Sequence, residues 1–143
     1  TLRGLRTLGI RMEKHEKNAT AIVELISAHP KIKKIYYPGL PSHPSHAIAK
    51  KQQSGFGGML SFEILGDLAG VKNFIEGMNT LPLAASLGGF ESLVSHPYTM
   101  THGNLTPDQK KEVGISESLI RISAGLENTE DLLEAVNLGL KKI

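Results

Sequence analysis

Seven residues at alternating spacings of three and four form one stripe along the first part of the chain. They are Leu5, Leu8, Met12, His15, Ala19, Ile22 and Ile26. This spacing keeps one side of a helix apolar and therefore predicts a long helix. The helix should end near His29, because Pro30 cannot continue it and disfavours helical backbone in the residue before it.

Three segments carry strand patterns. Residues 32–37 are mostly β-branched or aromatic and stop at the turn-forming pair Pro38-Gly39. Residues 60–64 alternate apolar with polar side chains, which predicts a strand with one buried and one polar face. Residues 119–124 are predicted to form a third strand, in which Ile120, Ile122 and Ala124 share the apolar face.

The remaining periodic segments predict shorter helices. Pro44 suits a first helical turn and favours a helix through about Gln53. Asp67 is a predicted N-cap, and Thr106 begins a capping box with Pro107 at the first helical position and Gln109. The helix after Asp67 is expected to bury Leu68, Val71, Phe74, Ile75 and Met78. Asn128 opens a last helix with the stripe Leu132, Leu133, Val136 and Leu140.

No clean period runs from Leu81 to Asn104, a stretch that proline and glycine interrupt repeatedly. It predicts a strand end followed by a long ordered loop, and such loops in compact domains are usually functional. Helical and strand patterns alternate along the chain with connections of mixed length. The pattern therefore predicts one α/β or α+β two-layer domain over residues 1–143.

Composition narrows the possible functions. Lys and Arg exceed Asp and Glu by 16 to 14 and are scattered, which disfavours binding to nucleic acid or to a membrane surface. Cysteine is absent, so disulfides and thiol chemistry are excluded. His43 and His46 have a spacing that suits one helix face, but zinc would need further ligands, and no metal site is predicted. No signal segment or membrane span is visible, so we expect a cytoplasmic protein.

Arg121 is the strongest candidate for binding chemistry. It lies in the middle of a predicted strand whose other face is apolar, so its side chain should point away from the core. A guanidinium group offers two parallel donors that match the two oxygens of a carboxylate. The alternative is a structural arginine that pairs with an acidic neighbour such as Glu63 or Glu127. Residues 86–88, Ser-Leu-Gly, add small side chains and backbone N–H groups that suit an anion.

Several motifs resemble one family of enzymes. They are Ser86-Leu87-Gly88-Gly89-Phe90-Glu91-Ser92-Leu93 with His96-Pro97, then Leu119-Ile120-Arg121-Ile122-Ser123-Ala124-Gly125, Tyr37-Pro38-Gly39-Leu40-Pro41-Ser42-His43-Pro44 and Ser54-Gly55-Phe56-Gly57-Gly58-Met59. The chain is similar over nearly its whole length to the pyridoxal-phosphate (PLP) enzymes of cysteine and methionine metabolism. These include cystathionine γ-synthases, cystathionine γ- and β-lyases and methionine γ-lyases.

The resemblance implies a fold and a set of roles. The fold would be the small C-terminal domain of the aspartate-aminotransferase-like enzymes, a small, largely antiparallel sheet covered by helices. Arg121 would bind the α-carboxylate of the amino-acid substrate, with Ser86 and the backbone amide of Leu87 beside it. The family's large N-terminal domain, which binds PLP and supplies the Schiff-base lysine, is expected to be missing here. The fragment alone should then be inactive and should not bind PLP.

Ala85 bears on the substrate. The cystathionine γ-synthases and γ-lyases of this family often carry glutamate at this position, whereas methionine γ-lyases tend to have an apolar residue and bacterial β-lyases a tyrosine. Residues 87–93 look more like the γ-lyase and γ-synthase branch, which we take as the first interpretation. Methionine γ-lyase, cystathionine β-lyase and O-acylhomoserine sulfhydrylase stay open, as does a non-catalytic binding or dimerisation module.

The resemblance also implies partners. The first helix joins the two domains in the family, so part of its apolar stripe should be exposed in this chain. The full-length enzymes are tetramers or dimers. We therefore expect a homo-oligomer in which this domain contacts the PLP-binding domain of the same enzyme.

Overall fold

The computed structural model describes residues 2–143 and contains six helices and four strands in that range. The helices are α1 (Leu2–Leu5), α2 (Leu8–Ser27), α3 (His46–Gln52), α4 (Leu68–Gly77), α5 (Pro107–Glu112) and α6 (Thr129–Leu140). The strands are β1 (Ile32–Tyr36), β2 (Met59–Ile64), β3 (Leu93–Ser95) and β4 (Leu119–Ser123).

The strands form one antiparallel sheet in the order β1-β2-β4-β3. Leu60, Phe62 and Ile64 of β2 lie on the same face as Ile120 and Ile122 of β4, and all five side chains are buried. The opposite face, called here the outer face, carries the alternate residues of each strand. The small antiparallel sheet predicted by the resemblance is confirmed.

Helices α2, α4 and α6 cover the apolar face of the sheet. Their contributions to the core are Ala19, Ile22, Val23 and Ile26 from α2, Val71, Phe74 and Met78 from α4, and Leu132, Ala135, Val136 and Leu140 from α6. Phe62 and Phe74 meet edge to face, with ring centroids 5.5 Å apart. Replacing a phenylalanine at such a site by alanine typically lowers the free energy of unfolding of the protein by about 3–5 kcal/mol. The two-layer arrangement therefore rests on this single core.

The prediction of one continuous first helix is wrong. A turn at residues 6–7 separates α1 from α2, so the helix is not continuous from Leu5. The stripe is buried only from His15 onward, while Leu5, Leu8 and Met12 are exposed. Exposure of part of the stripe was expected from the resemblance. Leu68, predicted on the buried side of α4, is also exposed, because it occupies the first helical position, away from the sheet.

The segment predicted as a strand end and loop contains a strand that the pattern missed. Strand β3 has only three residues, and all three are buried, so no polar alternation marks it. Leu83 forms just an isolated parallel bridge with Val94. The long ordered loop therefore consists of two loops, one on each side of β3.

Candidate functional site

Arg121 lies on the outer face, at the middle of β4. Its register partners are Ser61 on β2 and Ser95 on β3, and its neighbours Ile120 and Ile122 are fully buried on the other face. The predicted direction of the Arg121 side chain is therefore confirmed. The residue is partly exposed, so the guanidinium group is accessible to a small molecule.

The loop that carries the other predicted site residues lies over this strand. The Arg121 Nη2 group donates to the backbone carbonyl of Ser86 at 3.3 Å. The backbone N–H of Gly88 donates to the Ser123 hydroxyl at 2.9 Å. Ala85, Ser86 and Leu87 are exposed at or next to these two attachments. We call residues 85–92 the clamp loop.

Arg121 has no acidic partner among residues 2–143, where ion pairs join only Lys33 to Glu63 and Lys72 to Glu76. Glu63 accepts from the Lys33 ammonium at 2.8 Å and from the Tyr36 hydroxyl at 2.6 Å. Burial would raise the pKa of Glu63, but these hydrogen bonds outweigh burial and lower it. Glu63 is thus a carboxylate committed to other partners.

Glu127, the second acidic neighbour considered, contacts the clamp loop instead of Arg121. Its carboxylate accepts from the backbone N–H of Ser92 at 2.5 Å and from the Ser92 hydroxyl at 2.7 Å. The alternative of a structural arginine paired with Glu63 or Glu127 is therefore not supported. The guanidinium group keeps its positive charge unpaired within the described range, as a carboxylate-binding group requires.

Sequence reasoning missed the residues that anchor the clamp loop, namely Ser92, Ser123 and Glu127. Each partner lies 35 positions away along the chain, so no local spacing could reveal the contact. Ser95 was also missed. Its hydroxyl is buried beside Arg121 in register and has no hydrogen-bond partner within residues 2–143.

The histidines considered for metal binding make local contacts. His43 Nδ1 accepts from the backbone N–H of Ser45 at 3.2 Å, and His46 Nδ1 lies 2.8 Å from the carbonyl of Pro38. No three metal-ligating side chains come together in the part of the chain that the structure describes. That part also contains no helix with the length and apolar character needed to cross a bilayer.

The sequence profile of the family described as "Cys/Met metabolism PLP-dependent enzyme" matches residues 1–141. The chain belongs to this family. L-methionine gamma-lyase from Fusobacterium nucleatum subsp. polymorphum is 46% identical over 142 residues, which are 99% of this chain and 36% of that protein. Cystathionine gamma-synthase from Escherichia coli is 49% identical over 140 residues, 98% of this chain and 36% of that protein.

The fold of this Cys/Met metabolism family member also agrees with solved structures. Cystathionine gamma synthase from Xanthomonas oryzae pv. oryzae superposes with a TM-score of 0.93 at 48% identity, covering 99% of this chain and 36% of the other. The chain therefore spans little more than a third of the length of the relatives it matches. The family is PLP-dependent, and its named relatives are lyases and synthases of sulfur amino acids.

The glycine-rich stretch at residues 55–58 does not fit the phosphate of PLP. This stretch precedes a strand, so it lacks the helix N-terminus that phosphate loops use. The Glu16 carboxylate accepts from the backbone N–H of Phe56 at 2.8 Å and would repel a phosphate there. What this family member offers at the described site is a guanidinium without an acidic partner among residues 2–143, beside exposed backbone.

Proposed function

We propose that residues 1–143 form the C-terminal, substrate-binding domain of a PLP-dependent enzyme of sulfur amino-acid metabolism, of the cystathionine γ-lyase or γ-synthase type. Arg121 binds the α-carboxylate of the substrate. Ser86 and the backbone N–H of Leu87 complete the clamp, and Ala85 lies toward the substrate side chain. PLP, bound by a separate domain, supplies the electron sink for the bond-breaking steps.

The observation that carries the proposal is the unpaired guanidinium of Arg121 beneath the clamp loop. Its contact with the Ser86 carbonyl uses one of five guanidinium N–H donors, so a pair of donors stays available for a carboxylate. The exposed backbone beside it adds N–H groups at the same edge. When both carboxylate oxygens are bound, the orientation of the substrate is fixed. This lowers the entropic part of the activation free energy of the reaction.

A second candidate substrate is methionine. Ala85 is exposed and has no polar atom that could meet the distal amino group of cystathionine. The relatives do not separate the two activities, because a methionine gamma-lyase and a cystathionine gamma-synthase are 46% and 49% identical to this chain. Rates measured with cystathionine and with methionine on the same enzyme decide between them.

The test uses the protein expressed from the complete gene that contains this sequence. We expect the product to absorb as a PLP enzyme. Arg121→Ala should reduce kcat/KM for amino-acid substrates by about a hundredfold or more, because a charged hydrogen-bonding partner is lost. Arg121→Lys should recover only part of the loss, since an ammonium group cannot form the parallel pair of bonds.

Lys50→Ala is the control, because Lys50 is an exposed cation on α3, on a different element from the clamp. It should leave kcat/KM within about twofold of the original. PLP absorbance should stay unchanged in all three variants. An unchanged kcat/KM in Arg121→Ala, or a colourless product of the complete gene, would contradict the proposed function and favour a non-catalytic binding or dimerisation module.

A further inference from the structure

The clamp loop is fastened to the end of β4 through a compact group of hydrogen bonds. Ser92 is almost fully buried and bridges the two segments. Its hydroxyl donates to the Glu127 carboxylate at 2.7 Å and accepts from the backbone N–H of Gly125 at 2.7 Å. The backbone N–H of Leu126 also donates to the carbonyl of Phe90 at 2.8 Å. These bonds hold the loop at the end opposite Ser86.

Gly125 makes the close approach of the two segments possible. A Cβ atom at this position would lie 2.5 Å from the carbonyl oxygen of Phe90 and 2.5 Å from the backbone nitrogen of Ser92. A Cβ atom essentially never lies this close to another heavy atom, so a side chain at Gly125 would force the clamp loop to shift away from the end of β4.

The segment that carries Glu127 is itself fixed from the helical layer. The Asn18 side chain on α2 donates to the carbonyls of Gly125 and Glu127 at 2.9 and 3.0 Å. His15 Nδ1 lies 2.6 Å from the carbonyl of Ala124. Glu127 therefore sits on a rigid support. Its carboxylate transmits that rigidity to the loop through two hydrogen bonds, which are stronger than neutral ones because the acceptor is charged.

We propose that Glu127, acting through Ser92, is a positioning residue that sets the distance between the clamp loop and Arg121. Glu127 does not touch the substrate. Glu127 instead holds the clamp loop at a distance from Arg121 at which the exposed amides of residues 86 and 87 and the guanidinium group can bind the same carboxylate. The inference rests on the proposed function, because it assigns a role within the same site.

The test compares Glu127→Ala, Glu127→Gln and Ser92→Ala in the holoenzyme expressed from the complete gene. We expect Glu127→Ala and Ser92→Ala to raise KM for the amino-acid substrate about tenfold while kcat changes less than about threefold, since binding is lost without a change in the bond-breaking step. Glu127→Gln keeps an oxygen acceptor for the Ser92 N–H and should raise KM only about threefold.

A second readout follows the loop itself. Phe90 is 69% exposed within the loop, and phenylalanine is a residue type after which chymotrypsin cuts. Because proteolysis tracks the population of the locally opened loop, Glu127→Ala should be cut after Phe90 about tenfold faster than the original. Glu130→Ala is the matched control, since Glu130 is an exposed acid in the first turn of α6. It should change neither KM nor the cleavage rate.

The outcomes separate the two proposals. If Arg121→Ala reduces kcat/KM and both Glu127→Ala and Ser92→Ala leave KM within about twofold of the original, the positioning role is wrong and the proposed function stands. If Arg121→Ala leaves kcat/KM unchanged, the proposed function is wrong. Should Glu127→Ala fail to fold, Glu127→Gln and Ser92→Ala decide, and an unchanged KM in both would overturn the positioning role.

Discussion

Glu63 and Tyr36 form a hydrogen-bonded pair on the outer face, and Glu63 lies two register pairs of β2 and β4 away from Arg121. Glu63 faces Leu119 in the register of these strands, whereas Ser61 faces Arg121. The Tyr36 hydroxyl and the Lys33 ammonium occupy the Glu63 carboxylate. On the outer face, the Glu63 carboxylate therefore binds its own partners, and the Arg121 guanidinium group stays available to a ligand.

This pair predicts a dependence of stability on alkaline pH. Burial, the hydrogen bond to Glu63 and the charge of that carboxylate raise the pKa of Tyr36 from 10.0 to about 12. The folded chain thus holds the phenolic proton more tightly than the unfolded chain. The contribution of Tyr36 to stability is complete below pH 10.0 and is lost as the pH rises through about 12.

We expect Tyr36→Phe to reduce the decline in the free energy of unfolding between about pH 9 and pH 12, because the titrating phenol is removed. Urea unfolding of both proteins across this range measures the slope. Phenolate absorbance of the original protein reports the pKa directly. Equal slopes for the two proteins would show that Tyr36 titrates alike in both states.

At the level of single residues, the sequence predicted which way a side chain points better than it predicted which residues form hydrogen bonds with each other. The period of two along β4 was enough to place Arg121 opposite Ile120 and Ile122. It could not reveal that Glu127 bonds Ser92, because the two residues are far apart in sequence and one lies in an irregular loop. The roles assigned to Ala85, Ser86, Leu87 and Arg121 through the resemblance stay predictions until the variants are measured.

Helices α4 and α6 pack unusually closely, and glycine explains the contact. A Cβ atom at Gly77 would lie 2.9 Å from the Cα of Gly139. One at Gly139 would lie 2.7 Å from the carbonyl oxygen of Phe74 and 2.8 Å from Met78 Cγ. Two backbones can approach in this way only where no side chain separates them.

We expect Gly139→Ala to destabilise the domain by about 1–3 kcal/mol, because the added methyl group overpacks a contact made with backbone. Urea unfolding of the 143-residue chain measures the change. Gly9→Ala on α2 is the control. A Cβ atom there meets no heavy atom within 4 Å, so this variant should be unchanged or up to about 1 kcal/mol more stable. Equal stability of both variants would contradict the packing argument.

Among the elements, those with a clear period or a capping signal were predicted, including the short helices α3 and α5, whereas strand β3 was not. Strand β2 and helix α6 agree with their patterns, because one face of each is buried and the other is polar. Strand β3 could not be predicted, since its three residues are all buried and follow an irregular loop. The stripe on α2 predicted a helix correctly but could not tell which of its turns the core would cover.

The whole molecule leaves an apolar surface at its N-terminal end. Leu2, Leu5 and Ile10 are 78%, 56% and 73% exposed, and Leu8 and Met12 lie nearby in sequence. Apolar groups clustered in this way commonly mark a surface that another protein unit covers. The PLP-binding domain expected in the full-length enzyme is the proposed occupant, and a dimeric or tetrameric assembly in the cytoplasm likewise stays a prediction.

The isolated 143-residue chain is therefore expected to self-associate. The double variant Leu5→Glu with Ile10→Glu should shift the chain to monomer, because charged groups oppose the burial of this surface. Light scattering over a concentration series measures the mass. Ile48→Glu on α3 is the control, as Ile48 is 60% exposed on a different element. A purely monomeric original chain would contradict the expectation.

Both ends of the clamp loop are attached to β4 or to the residues that directly follow it. Arg121 and Ser123 hold one end, and residues 125–127 hold the other. Any hinge movement of this domain in a larger enzyme would therefore carry guanidinium and loop together as one piece. The opening and closing of the substrate cleft would change access to the clamp without changing its shape, so substrate entry and substrate recognition would be mechanically independent.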